Sequence, residues 1–201
     1  MKLFLLRHGQ TQWNAEHRVM GRRDVPLNLN GQKQAEQMVE YFKTHAMDRI
    51  FSSPQLRAVQ TAQYVAQIAL QQIELDERLS ELDFRRWEGK VLDEIKDDPV
   101  YIQRKKDPEG FVHDEVESFA QVQSRLLHWL EQYQDLDQNV LMVSHADPIR
   151  ILINALMGGS LGQVQKYRVF NCALSVMTNE NGFWELLVLN HRPGLDLGNV
   201  I

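Results

Sequence analysis

Four basic side chains stand just after apolar runs. Arg7 and His8 follow Lys2–Leu6, and His145 follows Val140–Val143. Arg57 lies shortly beyond Arg49–Phe51 and the turn Ser52-Ser53-Pro54. A guanidinium group is always charged, and its planar fork matches the oxygens of phosphate. Two arginines and two histidines with no Asp or Glu among them therefore point to an oxyanion ligand. A divalent metal is the competing reading, because imidazole is a common ligand. Cationic arginines would repel such an ion, and no His-x-x-x-His pair or carboxylate cluster accompanies these histidines. Each residue alone also has a structural reading: Arg7 as a salt-bridge partner, Arg57 as a solvated helix residue, His145 as a helix cap. Convergence separates the two kinds of reading.

Convergence requires a scaffold that gathers three strand ends. Lys2–Leu6, Arg49–Phe51, Gln72–Leu75 and Val140–Val143 read as short strands, the first and last of them buried. Ala35, Met38, Val39 and Phe42 form a helical stripe with Asn30 as its expected cap. Ala58, Ala62, Val65, Ala66 and Ala69 form a second, with Pro54 suited to its first turn. Phe119, Val122, Leu126, Leu130 and Tyr133 form a third, starting at Ser118. Asp147 and Pro148 read as N-cap and N1 of a helix over Ile149–Met157, and Ser160 as the cap of a short helix to Tyr167. Asn181-Gly182, between Ala173–Thr178 and Phe183–Asn190, signals a hairpin. The tail Gly194–Ile201 reads as irregular. Alternating strands and helices predict an α/β three-layer sandwich, a mostly parallel central sheet with helices on both faces. Ligands of such sheets sit beyond the carboxyl ends of the strands. Leu92–Glu117 departs from this: it is charged, holds Pro99, Pro108 and Gly110, and lacks a period. We read it as an insertion or lid within one domain spanning 1–201.

With 43% apolar residues, the 201-residue chain can bury a core. Its net charge of −5 leaves no general basic field for nucleic acid or an anionic membrane. No run approaches the roughly eighteen apolar residues of a membrane span, and Leu3–Leu6 is too short for a signal peptide. The single cysteine, Cys172, rules out an intramolecular disulfide and a Cys-rich metal framework. A cytoplasmic protein is the expectation.

Four segments in order carry a family resemblance. Leu6-Arg7-His8-Gly9-Gln10-Thr11-Gln12-Trp13-Asn14 resembles the Arg-His-Gly signature of the histidine phosphatase superfamily, also called phosphoglycerate mutase-like. The stretch from Ser52 to Ala62, then Glu81 to Gly89, then Val143-Ser144-His145 with Pro148-Ile149-Arg150, are similar to its later blocks. The resemblance implies that His8 attacks phosphorus and that Arg7, Arg57 and His145 hold the phosphoryl oxygens. It implies Glu81 as the general acid and Asn14 as a supporting phosphate contact. It further implies no cofactor, no metal, and a small phosphorylated metabolite as partner; a homodimer is left open. The nucleophile must be neutral, and Arg7 and Arg57 should depress its pKa. Phosphoryl transfer needs positioning and charge neutralisation, which arginines supply in place of magnesium.

Three positions depart from the family pattern. Arg85 stands where many relatives have glycine, so a positive φ there would carry strain. Ala146 follows His145 where glycine is usual, yet its backbone N–H stays available to phosphate. Glu115-Val116-Glu117-Ser118 replaces the usual Gly-Glu-Ser. Phe84–Gly89 and the chain length look similar to alpha-ribazole phosphatases and broad-specificity relatives. The leading expectation is thus a metal-independent phosphomonoesterase. A cofactor-dependent phosphoglycerate mutase is the enzymatic alternative, and a non-catalytic phospho-ligand or protein-binding module is the third reading. Glu88 and Trp87 read as structural, and Cys172 as a small apolar filler. His17, His45, His113, His128 and His191 read as surface or packing residues. Arg18, Arg22 and Arg23 could either meet an acidic substrate or line a solvated loop.

Overall fold

The computed structural model describes residues 1–193, so the tail expectation from Gly194 onward lies outside the described residues. The strands are β1 (Lys2–Arg7), β2 (Arg49–Ser52), β3 (Ile73–Leu75), β4 (Asn139–Ser144), β5 (Leu174–Glu180) and β6 (Phe183–His191). They form one sheet in the order β3-β2-β4-β1-β5-β6. The first four in that order run parallel, and β5 runs antiparallel to both β1 and β6. The helices are α1 (Gln12–Ala15), α2 (Leu29–Lys43), α3 (Leu56–Ala69), α4 (Leu92–Ile95), α5 (Pro99–Lys106), α6 (Phe119–Leu130) and α7 (Ala146–Leu156).

Strand side chains alternate between two cores. Leu3 and Leu5 of β1 join one cluster with Val122, Leu126, Trp129 and Leu152 of α6 and α7. Phe4 and Leu6 join the other with Ala35, Met38, Ala58 and Val65 of α2 and α3. Burial on both faces explains why β1 and β4 read as unbroken apolar runs instead of alternating ones. Each such side chain stabilises the fold by about 1.5–3 kcal/mol through removal from water. The three-layer expectation holds.

Several helix starts differ from the sequence expectation. The cap of α2 is Asn28, whose side chain accepts from Gly31 N–H at 2.8 Å. Asn30 already lies inside the helix. The earlier start brings Gly31 against the loop after β1, where a Cβ would sit 2.0 Å from the Gln10 carbonyl oxygen. The first helical bond of α7 runs from Ile149 N–H to the His145 carbonyl at 3.2 Å. His145 is therefore the N-cap, while Asp147 and Pro148 fall within the first turn, where a missing N–H costs nothing. Likewise α3 is capped by the extended Gln55, so Pro54 precedes the helix. Ser118 caps α6 as expected, with Gln121 returning the capping-box bond. Asn181 and Gly182 both take positive φ, which gives the expected hairpin its tight turn.

The irregular Leu92–Glu117 stretch is better packed than its composition suggests. It holds α4 and α5, and its Ile95, Phe111 and Val116 are buried in the α6/α7 core. Trp87, just before it, is fully buried and donates Nε1–H to Asp98 at 3.0 Å.

Candidate active site

Strand register alone brings three polar residues to one edge. Arg7 pairs with Ser144 across β1 and β4, and Ser52 pairs with Val143 across β2 and β4. The next residues are His8, His145 and Ser53, each at a carboxyl end. His8 N–H closes the ladder on the Ser144 carbonyl at 3.0 Å, and Ser53 N–H on that of Val143 at 3.0 Å. The His8 and His145 rings consequently lie 5.1 Å apart, centre to centre.

His8 is 1% exposed. Its Nδ1 lies 2.7 Å from the Gly9 carbonyl, which only accepts, so Nδ1 carries the proton. Nε2 then bears the lone pair, which faces Arg57 Nε–H at 3.3 Å. Gly9 must be glycine, because a Cβ would meet the Gly31 carbonyl oxygen at 2.5 Å. Its N–H donates to Thr61 Oγ1 at 3.0 Å, and the Thr61 hydroxyl donates to the Arg57 carbonyl at 2.7 Å. Helix α3 therefore grips the histidine loop while presenting Arg57 to it.

Arg57 is fully buried. Nη1 and Nη2 donate to the carbonyls of Arg23 and Gly21 at 2.7 and 2.8 Å. Glu88 holds that loop by accepting from Arg22 N–H at 2.9 Å and Arg23 Nε at 2.8 Å. The structural reading of Glu88 is thus made specific: it fixes the carbonyls that fix Arg57. Arg18, Arg22 and Arg23 are each paired with a carboxylate, Glu16, Glu117 and Glu88 respectively. They belong to the loop's own scaffold.

Two orphaned groups flank His8. Arg7 donates Nη1–H to the Val169 carbonyl at 2.7 Å, but its buried Nε has no partner. His145 lies 2.8 Å from Ser53 Oγ through Nε2, and its buried Nδ1 has no partner. Ser53 Oγ and Glu81 N–H both bond Gln55 Oε1, at 2.5 and 3.2 Å, tying the Glu81 loop to the same edge. Buried polar atoms are normally satisfied, so unspent groups around one ring mark a place for a ligand. Ala146, as N1 of α7, adds an N–H without an intrahelical acceptor and the positive end of the helix dipole. Asn14 lies nearby, its Oδ1 taken by Thr11 N–H and Asn171 Nδ2, each at 3.1 Å. Ser53, Gln55 and Thr61 went unassigned in the sequence. Their only signal is polarity within a stretch that leaves a buried strand.

Burial, then Arg57, then Arg7 hold the His8 pKa well below the usual histidine range. Burial, then Arg57, do the same for His145. Glu81, 9% exposed, moves the other way: burial, then the Asp147 carboxylate, push it up to about 7. Burial brings Arg57 down to about 10, where it remains charged at neutral pH. The site therefore offers a neutral histidine, fixed cations and a carboxyl group that can hold a proton. Arg85 does adopt a positive φ, +32°, a strained conformation costing on the order of 1 kcal/mol. Among the described residues, no group of three or more His, Cys, Asp or Glu is placed to hold a metal ion. No helix among them is long and apolar enough to cross a membrane.

Known proteins share this arrangement of chain. The protein named probable phosphoglycerate mutase GpmB, from Shigella boydii serotype 18, is 30% identical over 194 residues, covering 92% of this chain and 87% of the relative. The crystal structure of the alpha-ribazole phosphatase from Shigella flexneri superposes with a TM-score of 0.86 at 28% identity, covering 96% of this chain and 97% of the other. A mutant phosphoserine phosphatase from Entamoeba histolytica, in complex with phosphoserine, gives a TM-score of 0.86 at 27% identity, covering 94% and 96%. The sequence model of the histidine phosphatase superfamily (branch 1) matches residues 3–192, and the chain belongs to that superfamily.

Proposed function

We propose that the protein is a metal-independent phosphomonoesterase for a small phosphorylated metabolite, working through a phosphohistidine on His8. The observation that carries this reading is the unspent polar atoms near a buried, neutral imidazole: Nε of Arg7, whose charge acts on His8, and Nδ1 of His145, whose ring lies 5.1 Å from that of His8. A phosphoryl group supplies an oxygen for Arg7 Nε–H, and its negative charge favours the proton that lets His145 Nδ1 donate as well.

In the first step His8 Nε2 attacks phosphorus and the ester P–O bond breaks. Arg57 Nε–H, released from its long bond to Nε2, turns to a phosphoryl oxygen. Arg7 and Ala146 N–H take the others, with Asn14 Nδ2 in support, and His145 joins them once its Nδ1 takes up a proton. Glu81 gives its proton to the departing alkoxide oxygen. In the second step water attacks the phosphohistidine, Glu81 takes its proton, and the P–N bond breaks to restore His8. The carbonyl of Gly9 keeps Nδ1 protonated throughout, so Nε2 alone is the nucleophile.

Hydrolysis of p-nitrophenyl phosphate in the presence of EDTA tests the proposal. We expect turnover in the wild type, none in His8→Ala, and acid-labile, base-stable phosphate trapped on His8. Intact turnover in His8→Ala would overturn it. The 30% identity to a protein named a probable mutase favours one second reading. Interconversion of 3- and 2-phosphoglycerate faster than phosphate release would select it.

A further inference from the structure

A cavity of about 460 Å³ lies beside the phosphoryl site. His8, Arg7 and Arg57 are not part of its wall. Its lining includes Asp147, two residues after His145, and Phe84, three after Glu81. The charge of Asp147 acts on both Arg7 and Glu81, and that of Glu81 on Arg104, so the cavity opens on the side of the site where the leaving portion of a bound ester would extend. His17, which reads in the sequence as a surface or packing residue, also lines it.

The wall is mostly apolar, with Phe84, Trp87, Leu92, Tyr101 and Phe119. Four charged residues interrupt that character, Arg104, Lys105, Asp147 and Arg150, and one of them is a buried cation. Arg104 of α5 lines the cavity and is only 9% exposed. Its guanidinium carbon lies 5.2 Å from the Phe84 ring centre and 4.5 Å from that of Phe119. Its Nε and Nη2 are buried and make no hydrogen bond. The carboxylate in the wall, Asp147, is shared: it pairs with Arg150 and acts on Arg104 through its charge, but makes no hydrogen bond to the Arg104 guanidinium. Lys105 adds a further cation to the lining. In a chain of net charge −5, this cavity is locally positive.

A buried, charged group without partners is costly unless a ligand completes it. Ring faces on Phe84 and Phe119 offset part of that cost but use none of the N–H donors. We propose that Arg104 receives a second anionic group, a carboxylate carried by the leaving portion of the substrate. The substrate class is then a phosphomonoester whose alcohol has an apolar or aromatic body ending in a carboxylate. This rests on the phosphatase reading for its link to turnover, but not for binding.

Non-hydrolysable phosphonates separate the two. Titration calorimetry would compare benzylphosphonate with its meta- and para-carboxylated forms, on the wild type and on Arg104→Met. Charge-assisted hydrogen bonds should make one carboxylated form bind about tenfold to a hundredfold tighter than the parent in the wild type. In Arg104→Met the ratio of the two Kd values should fall to near one. Equal affinities in the wild type, or a substitution that weakens all three ligands alike, would overturn the inference. If Arg104→Met does not fold, the wild-type ratio decides alone. A carboxylate preference in a protein that hydrolyses no phosphate ester would sustain the subsite while sinking the phosphatase reading.

Discussion

The phosphoryl cradle and the cavity beside it are built by different means. The cradle comes from strand register: parallel pairing of β1, β4 and β2 sets His8, His145 and Ser53 side by side before any loop is considered. Its side chains are then tied to backbone carbonyls, Arg57 to Gly21 and Arg23, Arg7 to Val169, and His8 to Gly9. The cavity wall comes largely from Phe84–Trp87 and the two helices α4 and α5, which hold together through packing and a few ion pairs such as Arg86–Asp98, with Phe119 of α6 and Asp147 and Arg150 of α7 closing it on the side of the sheet. A cradle on strand ends is suited to a fixed reaction, whereas a wall of short helices can change with little cost to the sheet. Cradle substitutions should accordingly lower kcat, and cavity substitutions should alter KM and substrate preference.

The largest effect belongs to His8→Ala, which removes the proposed nucleophile; kcat should fall by about 10⁴-fold or more, measured with p-nitrophenyl phosphate. Arg57→Lys comes next. A single ammonium cannot reach both carbonyls and the phosphoryl oxygen, so kcat should drop by about 10²–10³-fold with the fold intact. A loss confined to KM would break the comparison, since it would make Arg57 a mere docking group.

Glu81→Gln sharpens it through pH. As the proposed general acid, Glu81 must hold its proton, so wild-type kcat/KM should decline as pH rises past about 7. Glutamine should remove that limb and cost about 10²-fold, least with good leaving groups such as p-nitrophenolate. The raised pKa also means that the folded protein binds this proton more tightly than the unfolded chain. Stability present below the unfolded value is therefore lost as pH rises through about 7. Glu81→Gln should unfold later than the wild type near about pH 8, by on the order of 1–3 kcal/mol, and show little difference near about pH 5. A stability difference that does not grow with pH would mean that Glu81 is not held protonated.

The same division governs what the sequence made readable. Arg7, His8, Arg57 and His145 were legible because each follows an apolar run, and a buried strand allows few registers. Glu81 follows no such run and was reachable only through family resemblance. Ser53, Gln55 and Thr61 escaped because their roles depend on which backbone groups the fold brings to them, and hydrogen-bond partners 26 to 92 residues away leave no local pattern. The misplaced caps at Asn30 and Asp147 have a related cause. Asn28 and Asn30 both suit an N-cap, and tertiary contact chose between them, whereas β4 runs straight into α7 at His145, which caps through its backbone carbonyl with no side-chain bond. Arg104 was visible only as one of three consecutive cations on a charged segment. Its burial comes from Phe84 and Phe119, which lie far along the chain in either direction.

The smallest predicted effect on catalysis tests the cavity side by itself. Asp98 caps α5 through Val100 N–H at 2.9 Å, accepts from Trp87 Nε1, and pairs with Arg86. Asp98→Ala removes all three bonds without touching the cradle. A lost cap costs about 1 kcal/mol and the stranded Trp87 N–H about 1–3 kcal/mol more, which for a chain of this size should lower Tm by roughly 4–16 °C. Loosening α5 displaces Tyr101 and Arg104 relative to Trp87, so KM for aryl phosphates should rise by about twofold to fivefold while kcat stays within about twofold. An equal fall in kcat would show that the helices of the cavity and the strand ends of the cradle move as one unit. The separation drawn from their construction would then fail at the level of function.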